Sequence, residues 1–137
     1  MIARRALPLL LLPALATAQR RLPVVGFVGF GSPEADRPFI IAFREGMRAQ
    51  GMVEGQGWQF EHRHADGDVQ RGAGIIRDFA ALPVDVFIVP GPSAARAIRR
   101  ATTIPLVAIA LPPVQSDPEL FASLARPGGS VTGFASF

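Results

Sequence analysis

The sequence predicts an α/β fold: a doubly wound parallel sheet of about five strands with helices on both faces. Three observations lead there. Short continuous apolar runs recur along the chain and alternate with stretches of helical period. The 13 prolines and 14 glycines punctuate the sequence between those runs, which argues against a plain helical bundle. At 137 residues, 49% hydrophobic and 18% charged, the chain has the size and composition of roughly one folded domain, and is neither a disordered tail nor a fibrous repeat.

Val24 to Phe30 is the first apolar run, with the character of a strand buried on both faces, and Gly31-Ser32-Pro33 breaks it. A helix follows to about Gln50, with Phe39, Phe43 and Met47 on one face and Gly51 where a left-handed terminator belongs. Gln59 to Ala65 is a more polar strand, expected near a sheet edge, with Trp58 covering the sheet beside it. Asp66-Gly67-Asp68 supplies a turn and an N-cap for a second helix to about Ala81, which is expected to bury Ile75, Phe79 and Leu82. Val84 to Val89 is a third strand, ended by Pro90-Gly91-Pro92. Ser93 is read as the cap of a third helix through about Arg100, and Pro105 to Ala110 as a fourth strand. A short helix near Pro118 to Ala125 precedes a fifth strand from Val131 to Phe134. This alternation calls for right-handed crossovers, with Phe27, Ile88 and Val107 on central strands.

The first 18 residues have the layout of an export signal: Arg4 and Arg5, an apolar run from Ala6 to Leu15, then Ala16-Thr17-Ala18 before Gln19. The run is short for a membrane span and is interrupted by Pro8 and Pro13. The expected product is therefore a periplasmic protein of residues 19–137 with no stable membrane insertion after cleavage; an uncleaved anchor is the alternative. Cysteine is absent, which removes disulfides, thiolate metal sites and thiol catalysis. Every basic residue is arginine, and the net charge of +3 forms no concentrated stripe of the kind that nucleic acid requires.

In an open parallel sheet, ligands bind beyond the carboxyl ends of the strands, where strand order reverses. A flavodoxin-like order 2-1-3-4-5 puts that point between the first and third strands, at the loops Gly31-Ser32-Pro33 and Gly91-Pro92-Ser93. Gly31, Ser32, Gly91, Pro92 and Ser93 are accordingly the candidate ligand-binding residues. Small residues let a ligand approach the backbone, and a helix N-terminus favours an anion. Helix capping is the competing role for both serines, and the two roles can coexist.

Sharper chemistry finds no footing. Gly26, Gly29 and Gly31 suggest a dinucleotide loop, but Glu34 stands where the last glycine is needed. A phosphate loop needs a lysine, and the sequence has none. Ser93 follows a strand and opens a helix like a nucleophile elbow, yet no histidine comes after it. His62 and His64 share one face of a strand, which with Glu61 or Asp66 raises the question of a metal site. Glu61 points the other way from His62, and no third ligand has suitable spacing, so the pair is read as polar edge residues. No cofactor, metal or catalytic residue is assigned.

The stretch from Ser123 to Gly133, Ser-Leu-Ala-Arg-Pro-Gly-Gly-Ser-Val-Thr-Gly, resembles a signature of ABC-transporter substrate-binding proteins, in the branch related to tryptophan- and tyrosine-binding periplasmic proteins. Gly31 to Ala35, Ala42 to Gly46 continuing to Gly51 and Val53-Glu54-Gly55, and Val84-Asp85-Val86 fit the same pattern. Ser130 departs from it where asparagine is usual, as does the glycine-rich segment Gly72 to Gly74. The resemblance implies two similar α/β lobes with a ligand between them. Residues 19–137 correspond to the N-terminal lobe of such a periplasmic-binding-protein-like fold, stopping near the crossover to the second. It also implies a small-molecule ligand, such as an aromatic amino acid or related carboxylate, and ABC permease subunits as partners. A small exported α/β enzyme and a sensory or scaffold lobe are the alternatives.

Overall fold

The computed structural model describes residues 20–111, 120 and 131–135. The element order is β1 (Val24–Gly29), α1 (Pro33–Ala49), β2 (Gln59–His64), α2 (Val69–Ala80), β3 (Val86–Pro90), α3 (Pro92–Ala101), β4 (Leu106–Leu111) and β5 (Val131–Ala135). All four strand pairings are parallel, and the sheet order is β2-β1-β3-β4-β5, as the alternation of the sequence predicts. The export segment and the short helix expected near 118–125 lie outside the described residues, apart from Leu120.

Each face of the sheet has its own core. On one, α2 and α3 bring Ile76, Phe79, Ala94, Ala95 and Ile98 against Val24, Val28, Phe87, Val89 and Leu106. On the other, α1 brings Ile40, Phe39, Phe43 and Met47 against Val25, Phe27, Phe60, Trp58 and Ile88. The alternation of Val24 and Val28 with Val25 and Phe27 sends one set of β1 side chains to each layer. Trp58 is buried, donates Nε1–H to the Met52 carbonyl at 3.2 Å, and packs edge-on against Phe43 and Phe60. Its role is that of a core residue. The polar strand β2 is the sheet edge. Phe27 and Ile88 are buried on the central strands and Val107 is half-buried.

Helix ends follow local chemistry. Gly51 takes φ +78° just past α1, and Asp68 caps α2 by accepting from the Gln70 and Arg71 amides. Two expectations need correction. Leu82 is exposed, because α2 ends at Ala80 and Leu82 lies past the C-cap, off the helical face; Ile76 is fully buried beside Phe79, and Ile75 only partly. Ser93 does not cap α3: Pro92 occupies the first turn and Gly91 is the N-cap, with no side-chain hydrogen bond. Proline favours the first helical position, which moves the cap to the residue before it. Gly72 in α2 packs against Phe30, whose ring would lie only 2.7 Å from a Cβ there.

Candidate functional site

Strands β1 and β3 are neighbours, so the loops that leave their carboxyl ends emerge together where the sheet order reverses. The first loop is tied down from below. The Ala65, Asp66 and Gly67 amides donate to the carbonyls of Gly29, Gly31 and Phe30 at 2.9, 3.1 and 2.8 Å. Ser32 then caps α1, its Oγ accepting from the Ala35 amide at 3.2 Å. Glu34's carboxyl is held below its usual range by its own backbone N–H and then by the Ser32 hydroxyl. The Ser32 hydroxyl is thus engaged as the cap of α1.

The second loop is held by one bond at its cap, Gly91 N–H to the Ile109 carbonyl at 2.8 Å. Gly91 has φ +79° and ψ 163°, a conformation open essentially to glycine alone. No side chain caps α3, and of its first residues Ser93 is exposed while Ala94 and Ala95 are buried. Ser93 lines a groove of about 490 Å³ with Phe30, Gly67, Val69, Ala73 and Ala97, between α2 and α3. The floor of that groove is apolar and its rim carries the hydroxyl.

The first loop borders a different groove, of about 310 Å³, on the α1 side of the sheet. Pro33 begins it; Glu34, Arg37, Ile40, Ile41, Arg44, His62 and His64 complete it. The two sequence-predicted loops therefore share one end of the sheet but open onto opposite faces. His62 is held below the ordinary histidine range, first by partial desolvation on the groove wall and then by His64, Arg44 and Arg63. Arg44 is forked onto Glu54 at 2.6 and 3.0 Å, which raises the arginine and lowers the carboxyl. Asp36 is the one buried charged side chain among the described residues, and its Oδ2 is 2.8 Å from His64 Nδ1. Sequence reasoning missed this pair. Its partners are 28 positions apart, and the only local hint is Gly29, where a Cβ would overlap the Asp36 carboxylate. The described residues contain no group of three or more metal-ligating side chains, and no helix among them is long and apolar enough to cross a membrane.

No protein-family model matches the chain, and no curated protein sequence matches it. Solved structures do. The ligand-free, open form of a substrate-binding protein with adhesive properties from Clostridium difficile superposes with a TM-score of 0.75 at 21% identity, over 85% of this chain and 39% of that one. An ABC domain from Streptococcus pneumonia in complex with L-Trp gives 0.74 at 22% identity, over 84% and 39%. A conserved domain protein from Vibrio cholerae gives 0.76 at 26% identity, over 85% and 40%. The chain spans about two fifths of the length of these proteins. Its five-stranded parallel sheet, with order β2-β1-β3-β4-β5, is the fold of one lobe of a substrate-binding protein.

Proposed function

We propose that this chain is the N-terminal lobe of an exported solute-binding protein, which holds a small molecule between two lobes and delivers it to the permease of an ABC importer. The observation that carries this reading is the likeness of nearly the whole described fold to substrate-binding proteins. An aromatic amino acid or a related carboxylate is the ligand class, a choice supported by the L-Trp complex of one similar structure.

The geometry offers that class two complementary surfaces. A carboxylate approaching α3 would meet the exposed Ser93 hydroxyl and the positive end of the helix dipole, with no side chain on Gly91 in the way. An apolar ring finds Phe30, Val69, Ala73 and Ala97 in the adjoining groove. Gly31, Ser32 and Pro92 complete the candidate site at the same end of the sheet, where Ser32 caps α1 and Pro92 begins α3. The mechanism is binding and lobe closure, with no covalent step; ATP hydrolysis belongs to another subunit.

Ligand sites normally enclose about 70–90% of a small molecule's surface, and one lobe leaves a side of the ligand in water. Calorimetry with aromatic amino acids and small carboxylates is expected to give weak binding to residues 19–137. If the reading frame continues past Phe137, the extended two-lobed protein should bind much more tightly. Equal, tight binding by both would overturn the half-cleft reading. Export is tested separately: intact-mass analysis of a periplasmic fraction should show loss of residues 1–18, whereas full-length chain recovered only in membranes would contradict it.

A further inference from the structure

We propose that His62 and His64 form a chelating pair for a late first-row divalent metal ion such as Zn(II), in the groove between α1 and the edge strand β2. This site is independent of the ligand cleft proposed above. Being two apart on one strand, the two rings project to the same face, the one covered by α1. His62 Nδ1 and His64 Nε2 lie 3.2 Å apart. Two nitrogens each bound at about 2.0–2.1 Å to a tetrahedral ion stand about 3.3 Å apart, so the pair already has the spacing of adjacent ligands.

The far side of His64 is built for the same purpose. Its Nδ1 meets Asp36 Oδ2 at 2.8 Å, and the two side chains are only 11% and 5% exposed. A carboxylate that accepts a hydrogen bond from Nδ1–H fixes the tautomer, aims the Nε2 lone pair at His62 Nδ1, where a metal ion would replace the hydrogen bond between the rings, and strengthens it as a ligand. The bare α-carbon of Gly29 makes room for that carboxylate, since any Cβ there would overlap it. The groove leaves space on the ion's open side and carries Glu34 on its wall. No third protein ligand joins the two rings among the described residues, so water or an anion from the groove completes the coordination. Arg37 and Arg44 also line the groove; Glu54 holds Arg44 in a two-point ion pair, which reduces its opposition to a cation.

The test uses the untagged full chain, titrated with ZnCl2 by calorimetry and with Co(II) by visible absorption. One ion per chain is expected, with the absorption of a tetrahedral site. His62→Ala, at an exposed side chain whose loss leaves the core intact, should abolish binding, and His64→Ala should do the same. Asp36→Asn should weaken binding about 10- to 100-fold, with circular dichroism confirming that the variant is folded. Failure of the wild-type chain to take up either ion overturns the proposal, as does uptake that His62→Ala leaves unchanged. Binding of inorganic phosphate without metal would assign the groove to anions and would equally overturn it.

Discussion

The loops after β1 and β3 are near anagrams, Gly31-Ser32-Pro33 and Gly91-Pro92-Ser93, and they are built in different ways. In both, proline takes the first turn of the helix, so whichever residue precedes it becomes the cap. In the first loop that residue is serine, whose hydroxyl closes the helix end. In the second it is glycine, which closes nothing and needs φ +79°. Exchanging two letters thus separates a structural helix end from an open one. Of the two, the open end leaves its serine exposed and outside any cap.

That contrast can be attacked by substitution, with stability read by urea unfolding. The largest effect is expected at Gly29→Ala, beside the first loop, where the added methyl must displace the buried Asp36 carboxylate from His64. A loss of about 3 kcal/mol is expected; a neutral result would show that the pair is not packed as described. Gly91→Ala should cost about 2 kcal/mol through backbone strain alone, since nothing lies within 4 Å of a Cβ there. Ser32→Ala removes the cap on α1 and should cost about 1 kcal/mol. Ser93→Ala should change stability least, by under about 0.5 kcal/mol, because this exposed residue caps nothing. If Ser93→Ala destabilised as much as Ser32→Ala, the two loops would be equivalent and the distinction would fall.

The same contrast marks what the sequence makes legible. Strand and helix order, the edge position of β2, the cap at Asp68 and the terminator at Gly51 rest on period, polarity and local turn chemistry, all of which are written within a few residues. Both candidate loops are legible as loops because they follow apolar runs and open helices. Ser93 was misread as a cap because its residue type was given more weight than the position fixed by Pro92. Leu82 was assigned to the core by extending the helical period past the true end of α2. Asp36 with His64 was out of reach for another reason: their contact exists only once α1 lies across β1 and beside β2, and neither residue announces the other.

Ligand contact at the open end of α3 is decided by a backbone amide NMR titration of residues 19–137 with aromatic amino acids. The largest shift changes are expected on Gly91, Ser93 and Ala94 and on the groove residues Val69 and Ala73. Smaller changes should reach Ser32, and Ser93→Ala should reduce the response. Shift changes confined to other parts of the sheet, or none with any of these ligands at millimolar concentration, would contradict that contact.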